Sequence, residues 1–444
     1  MTQAASHRTT LNQGVRMRLP VAAVMLGCLC PAAAHGQDLI AGTWQGAWSR
    51  AGDSLPVTMI VRRDAAAGRY TATFDSDRLR VSGVPFREVS VEGCCAVTLV
   101  LQGDRTTTEF RGSVRGDSLT GVFREGSDDG RFAFHRAASA PSPYTEREIT
   151  FRSGDATLAG TLLLPNVEGR VPAVVFLHGS GPEGRWANRF LATQAAAHGF
   201  ASLIFDKRGV GSSTGDWRTA TPDVLVGDAV AAVARLLDEP RIDPARIGIH
   251  GHSQGGTLAP MVAVRSRRVA FVVASAAAGL PTDSVERYSI LNSVLPDAAT
   301  AEDSASATRY AEAVVAAAYR GQPRLRVDSL AARYRDRPWF FPPPPPDNPY
   351  WTFSPAFAAY HPLEWWARVR VPVLLLYGGD DQRVPAAASA SRIGATLRAA
   401  GNRRVTTRIF PGAGHTFRLP PGPSGWPVTA PDYIPTLLGW LARR

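Results

Sequence analysis

The chain has 444 residues, of which 45% are hydrophobic and 20% are charged. These fractions are typical of globular proteins, and they exclude a disordered chain and a protein with many membrane-spanning helices. The formal net charge of +11 comes almost entirely from arginines spread along the chain, with Lys207 as the single lysine. Because the basic residues form no dense run and no interleaved aromatic platform, nucleic-acid binding is not expected.

Residues 1–36 have the order of an export signal. Arg16 and Arg18 precede an apolar stretch at 19–29, and small residues follow it. This order predicts a cleaved secretory signal peptide and a mature protein that is periplasmic or secreted. The apolar stretch is shorter than the roughly 20 residues of a membrane-spanning helix, so no transmembrane segment is expected after cleavage. Cys28 lies in a poor match to a lipid-attachment motif, and lipid anchoring is not expected.

Residues 38–136 contain short runs in which polar and apolar residues alternate. Turn signals such as Gly116-Asp117 separate these runs. The spacing predicts an all-β domain, either an antiparallel sandwich or a small barrel. Residues 137–145, rich in Ala, Ser and Pro, are interpreted as a linker. Because no candidate catalytic residue falls in the all-β domain, we expect the rest of the chain to be active without it.

Residues 146–444 alternate strand-like and helical stretches, which predicts an α/β domain with a doubly wound, mostly parallel sheet. The strand-like runs are residues 173–177, 201–205, 247–250, 271–275, 373–377 and 405–410. One connection, at about 279–369, is much longer than such a sheet requires, and a run of five prolines lies within it. We interpret it as a helical cap above the carboxyl edge of the sheet, where open α/β sheets bind ligands.

The candidate nucleophile is Ser253. Residues 251–255 read Gly-His-Ser-Gln-Gly and connect a predicted strand to a predicted helix. A serine hydroxyl is a weak nucleophile, so it needs an exposed position beside a base. Flanking glycines permit the strained turn that provides this position.

A catalytic serine also needs a base and an acid. With a nucleophile on a strand-to-helix turn, the chain order is serine, then acid, then histidine. His415 follows the last predicted strand and precedes the final helix, so it is the candidate base. The acid is expected at the carboxyl end of a late strand, and both Asp380 and Asp381 follow the strand at 373–377. Both aspartates are candidates on this ground.

A second glycine-rich turn supplies a candidate oxyanion hole. Residues 178–182 read His-Gly-Ser-Gly-Pro and follow an early strand. A backbone N–H of this turn, together with the N–H of Gln254, would stabilise the negatively charged oxygen of a tetrahedral intermediate. We favour Ser180 over Gly179 as the donor.

From about residue 146 to its end, the chain resembles the α/β-hydrolase superfamily, in the branch of prolyl-oligopeptidase-like and serine-aminopeptidase-like enzymes and bacterial esterases. The motifs that carry the resemblance are residues 178–182, 206–213 (Asp-Lys-Arg-Gly-Val-Gly-Ser-Ser), 243–249 and 251–256. The resemblance implies an α/β-hydrolase fold. Similar loops in this fold place the acid three residues before a Val-Pro pair, which selects Asp381. The opening motif at 42–46 is similar to small β-modules that precede some secreted hydrolases.

These observations predict a serine hydrolase that acts through an acyl-enzyme on a small-molecule ester or a short peptide. The mechanism requires neither a metal nor an organic cofactor, and the sequence contains no His/Cys cluster at zinc spacing. A carboxylic-ester hydrolase is favoured because the motifs suffice for ester cleavage. A serine aminopeptidase or acyl-peptidase is the first alternative, and a thioesterase or acyltransferase is the second. The sequence leaves the oligomeric state open.

Overall fold

The computed structural model describes residues 38–64, 66–103 and 106–444. The predicted signal peptide and Cys28 lie outside these residues. The stretch Ile40–Arg444 packs as one unit built on two large β-sheets. No helix in the described part of the chain has both the length and the apolar character needed to cross a membrane.

The first sheet is antiparallel and, within the described residues, has nine strands in the order β4-β3-β2-β1-β9-β8-β7-β6-β5. They are Gly42–Arg50 (β1), Asp53–Asp64 (β2), Arg69–Ser76 (β3), Val81–Pro85 (β4), Glu88–Glu92 (β5), Ala96–Gln102 (β6), Thr107–Arg115 (β7), Ser118–Glu125 (β8) and Asp128–Ala137 (β9). Alternate side chains enter one core, where the ring of Trp48 lies 5.1 Å from that of Phe74 and 4.9 Å from that of Phe110. The all-β domain is confirmed, and its strands form a half-barrel of one continuous sheet in place of the predicted sandwich or small barrel.

The second sheet has eight strands in the fully described stretch 106–444, in the order β10-β11-β13-β12-β14-β15-β16-β17. They are Tyr144–Ser153 (β10), Ala156–Pro165 (β11), Val171–Leu177 (β12), Ala201–Phe205 (β13), Ile242–His252 (β14), Val269–Ser275 (β15), Val373–Gly378 (β16) and Val405–Phe410 (β17). Strands β12 to β17 are parallel, as predicted, whereas β10 and β11 form an antiparallel hairpin at one edge. Tyr144 and Thr145, assigned from the sequence to the linker, belong to β10.

Helices cover both faces of the second sheet. In chain order they are Arg189–Ala197 (α1), Pro222–Leu236 (α2), Gln254–Arg265 (α3), Thr282–Val294 (α4), Ala301–Tyr319 (α5), Leu325–Tyr334 (α6), Tyr350–Ala358 (α7), Pro362–Trp366 (α8), Ala386–Ala399 (α9) and Tyr433–Leu441 (α10). Residues of α2, α3 and α9 share one apolar core with the sheet, and residues of α1 and α10 share another. The doubly wound architecture is confirmed.

Helices α4 to α8 form the long insertion between β15 and β16, so the helical cap is also confirmed. Its own apolar core contains Tyr310, Tyr334 and Trp339, all buried. Two tyrosine hydroxyls tie the cap to the sheet domain. Tyr288 of α4 donates to the backbone carbonyl of Asp381 at 2.9 Å, and Tyr360 donates to the carbonyl of Thr257 at 2.8 Å.

Candidate active site

Ser253 occupies the sharp turn between β14 and α3. Its backbone has φ 55° and ψ −115°, a strained conformation for a residue that carries a side chain. The turn needs its glycines because a Cβ on Gly251 would lie 2.3 Å from the backbone of Gly255, and one on Gly255 would lie 2.6 Å from the carbonyl oxygen of His178. The strain presents Ser253 at the carboxyl end of a central strand, and its side chain makes no capping hydrogen bond to α3.

The structure brings Asp381 and His415 together. His415 Nδ1 lies 2.8 Å from Asp381 Oδ2, and the other carboxylate oxygen accepts hydrogen bonds from the backbone N–H groups of Arg383 and Val384. Asp381 is 2% exposed, whereas Asp380 is exposed to solvent. The carboxylate is therefore fixed on one side by the backbone and faces the imidazole on the other.

The loops that carry the two residues are packed directly on each other. The N–H of Asp380 donates to the carbonyl of Ala413, and a Cβ on Gly378 would lie 2.2 Å from the carbonyl oxygen of Gly414. Ser253 is not joined to this pair by a hydrogen bond in the described part of the structure. Catalytic hydrogen bonds are often long before substrate binds, so this separation is compatible with a catalytic serine.

His252, interpreted from the sequence only as part of the turn, contacts the backbone of His415. Its Nε2 lies 3.0 Å from the carbonyl oxygen of His415, and the two rings are 4.8 Å apart. Burial and the neighbouring His415 lower the pKa of His252 to about 4. The ring is neutral at neutral pH, and since a carbonyl only accepts, Nε2 carries the ring proton.

The candidate oxyanion loop is held by two charged side chains that the sequence analysis did not assign. The N–H of Gly179 donates to Glu183 Oε2 at 2.5 Å. Lys207 Nζ donates to the carbonyls of Gly179 and Gly181 at 2.6 and 2.7 Å. The N–H of Gly179 is thus already used, which leaves Ser180 and Gln254 as the candidate donors to a substrate oxygen.

Lys207 is buried, with 2% of its surface exposed. Burial lowers its pKa to about 8. Together with Gln254, it borders a small cavity of about 30 Å³ behind the oxyanion loop. The sequence does contain a signal for Lys207, because it lies within the motif at 206–213. It is the single lysine of an arginine-rich chain, and it closely follows a predicted strand.

A serine aminopeptidase would need a carboxylate in the cap to bind the substrate ammonium group, and the candidates in the sequence are Asp283, Glu286, Asp303 and Glu312. Three of them pair with arginines: Asp283 with Arg320, Glu312 with Arg287 and Arg320, and Asp303 with Arg337. Glu286 instead accepts a hydrogen bond from the hydroxyl of Tyr350 at 3.0 Å. Burial raises the pKa of Glu286.

Among the described residues, no three His, Cys, Asp or Glu side chains are grouped so that they could hold a metal ion. The candidate site is built from the serine turn, the Asp381–His415 pair and the backbone N–H groups of residues 180 and 254.

Comparisons with known proteins agree with this architecture. A model of the alpha/beta hydrolase family matches residues 174–423, which is more than half of the chain. The chain therefore belongs to the alpha/beta hydrolase family.

Two curated relatives match shorter stretches. The chain is 33% identical over 134 residues to the quorum-quenching protein AidA of Acinetobacter baumannii, covering 30% of this chain and 43% of that protein. It is 31% identical over 134 residues to the esterase EstD of Thermotoga maritima, covering 29% of this chain and 31% of that protein. The match thus spans less than half of either relative. Among solved structures, an esterase of Pyrococcus furiosus aligns over 69% of this chain and 93% of its own, with 17% identity and a TM-score of 0.44.

Proposed function

We propose that this protein is an exported serine hydrolase that cleaves carboxylic esters. Ser253 is the nucleophile, His415 the general base and Asp381 the acid that orients it. The observation that carries the proposal is the hydrogen bond between His415 Nδ1 and buried Asp381, formed beside a strained serine turn. Membership of the alpha/beta hydrolase family supports hydrolysis as the reaction class.

In this mechanism His415 Nε2 accepts the proton of Ser253 as the hydroxyl oxygen attacks the ester carbonyl carbon. Asp381 keeps the proton of His415 on Nδ1 and stabilises the imidazolium that forms. The N–H groups of Ser180 and Gln254 donate to the oxyanion. The imidazolium then protonates the departing alkoxide. Water activated by the same histidine hydrolyses the acyl-enzyme and releases the acid.

Ester cleavage is favoured over amide cleavage by what each reaction demands. An alkoxide leaves readily once His415 supplies a proton, whereas an amine leaving group must be protonated in a strictly aligned geometry. The relative EstD is named an esterase, which supports the same assignment.

Serine aminopeptidase activity is the second candidate, and Glu286 is the observation that favours it. An aminopeptidase must anchor the charged N-terminus of its substrate, which in a partly buried site requires a paired carboxylate. Of the four cap carboxylates considered, Glu286 is the one that the structure does not pair with an arginine. Its contact with the Tyr350 hydroxyl leaves the carboxylate with further capacity to accept hydrogen bonds.

The first experiment is labelling of the purified protein with a fluorophosphonate probe. Wild-type protein is expected to be labelled at Ser253, and the Ser253→Ala variant is expected to be neither labelled nor active. A well-folded wild-type protein that does not react with the probe would rule out the serine mechanism.

The second experiment compares kcat/KM for nitrophenyl esters and unactivated alkyl esters with that for aminoacyl nitroanilides and free peptides. Esters are expected to be the better substrates in both the activated and the unactivated series. Glu286→Gln is compared with Glu312→Gln, a cap carboxylate that is engaged by arginines. Faster cleavage of peptides with a free N-terminus, lost in Glu286→Gln and retained in Glu312→Gln, would replace the esterase with an aminopeptidase.

A further inference from the structure

The chain that follows His415 is anchored in the half-barrel. Residues 418–429 form a hairpin in which Arg418–Leu419 pairs with Val428–Thr429. At its tip, Trp426 is 6% exposed and belongs to the apolar core of the half-barrel, with its ring 6.5 Å from that of Phe123. Ser424 Oγ donates to Asp53 Oδ2 at 2.6 Å. The segment that follows the proposed base is therefore packed against the half-barrel.

A second contact reaches even closer to the proposed base. Arg80, in the turn between β3 and β4, donates from Nη1 to the carbonyl of Thr416 at 2.7 Å. Its guanidinium lies 5.2 Å from the ring centre of Tyr433. Thr416 directly follows His415 in the chain. The half-barrel thus holds the peptide adjoining the imidazole that faces Asp381.

The backbone of Arg80 indicates that this position is tightly fixed. Its φ is 56°, in the left-handed region that residues other than glycine rarely adopt. Such a conformation persists only where the surrounding structure determines it. A neighbouring arginine, Arg418, completes the contact by donating to the carbonyl of Leu79 at 3.3 Å.

Two successive carbonyls of the loop that carries His415 are therefore held by side chains from different domains. The neutral ring of His252, on the strand that carries the nucleophile, faces the carbonyl of His415. Arg80, on the half-barrel, binds the carbonyl of Thr416. One contact comes from the sheet domain and the other from the all-β domain, and loss of the Arg80 contact leaves the carbonyl next to His415 without its side-chain donor.

We propose that Arg80 is a positioning residue for His415 and that the half-barrel is a working part of the catalytic unit. The inference rests on the proposed function, because it takes His415 to be the base. A displacement of about 1 Å of a catalytic group can lower the rate about a hundredfold. The half-barrel is therefore expected to be required for full turnover, in contrast to the independence that the sequence suggested.

The test compares Arg80→Met with Arg80→Lys in the full-length protein. Both variants keep an unbranched side chain and the same backbone strain, and both lose the guanidinium beside Tyr433, but only lysine keeps a donor for the Thr416 carbonyl. Arg80→Met is expected to lower kcat for nitrophenyl acetate by about tenfold or more, with KM nearly unchanged. Arg80→Lys is expected to recover most of the loss. The rate at which a fluorophosphonate labels Ser253 should fall and recover in parallel.

The control is Arg87→Met, which changes an exposed arginine of the half-barrel that pairs with Glu88. It is expected to leave kcat unchanged. Thermal unfolding is measured for every variant. Equal kcat for folded Arg80→Met and Arg80→Lys would overturn the proposal, and so would a loss of activity that only follows the loss of folded protein.

If Arg80→Met does not fold, Arg80→Gly decides, because glycine adopts a φ of 56° without strain. Folded Arg80→Gly with the wild-type kcat overturns the proposal, and a reduced kcat at an unchanged unfolding midpoint supports it. Failure of the proposed function would be recognised separately: wild-type protein would not be labelled, or Ser253→Ala would remain active, whatever residue stands at position 80.

Discussion

His415 Nδ1 lies 2.8 Å from Asp381 Oδ2, while the adjacent Asp380 points its side chain to solvent. Two neighbouring carboxylates thus have different environments. Asp381 is buried and receives two backbone hydrogen bonds besides the imidazole. Only one of the two aspartates is placed to fix the tautomer of His415.

We expect Asp381→Asn to lower kcat by about ten-thousandfold, because an amide favours the wrong histidine tautomer. Asp380→Asn, which leaves the imidazole contact intact, is expected to change kcat by less than about threefold, as surface substitutions usually do little. Steady-state kinetics on one ester, with thermal unfolding as the check on folding, measures both. The opposite ranking in folded variants would move the acid to Asp380.

The glycines of the serine turn provide a second prediction. A Cβ at position 255 would meet the carbonyl oxygens of His178 at 2.6 Å and Leu177 at 2.9 Å, and neither backbone atom can move freely. Gly255→Ala is therefore expected to destabilise the protein by roughly 1–3 kcal/mol and to abolish activity. Gly439→Ala is the matched control, since nothing lies within 4 Å of its added Cβ in α10.

In that control the same substitution should stabilise the helix by about 0.5–1 kcal/mol. Urea unfolding measures both changes. Similar stabilities for the two variants would mean that the turn tolerates a side chain and that its close approach is not needed.

Much of the candidate site could be predicted from the sequence because its signals are local. Ser253, Asp381 and His415 each follow a strand, and the order of nucleophile, acid and base restricted the search. The contact of Arg80 with Thr416 joins residues 336 positions apart. No periodicity or spacing relates them, so it could not have been predicted from one sequence.

The same reasoning explains where the observed fold differs from the predicted one. Alternation of apolar residues establishes that a strand has one buried face, but it does not determine whether a sheet closes, stacks or curves into a half-barrel. The half-barrel core is completed by Trp426, which the sequence places in the other domain. The predicted linker extended to residue 145, but strand β10 begins at Tyr144. Tyr144 and Thr145 continue the antiparallel pairing of β10 with β11.

Export remains a prediction, since residues 1–37 lie outside the described part of the chain. The basic, apolar and small-residue order predicts cleavage close to position 36. N-terminal sequencing of exported protein is expected to begin near Gln37. A mature chain that retains Met1, or one that carries lipid on Cys28, would contradict the assignment.

The last prediction concerns the pH dependence of stability. Burial lowers the pKa of Lys207 from 10.5 to about 8. Between these values the unfolded chain keeps the lysine proton and the folded protein has lost it. The free energy of unfolding therefore rises with pH across this window, by about 2 kcal/mol between pH 7 and 9.5, and is unaffected by this group below pH 7.

Lys207 is the single lysine, so a protein labelled with ¹³C at lysine Cε gives one lysine resonance, whose titration is expected to have its midpoint near pH 8. Urea unfolding at several pH values provides the second measurement. Lys207→Met should remove the dependence, because methionine does not titrate, and should also slow turnover, because the carbonyls of Gly179 and Gly181 lose their shared donor. Arg63→Met, which changes an arginine of β2, controls for loss of one positive charge. A titration midpoint at or above 10.5, or the same pH dependence in wild type and Lys207→Met, would show that the ammonium is not buried beneath the oxyanion loop as the structure places it.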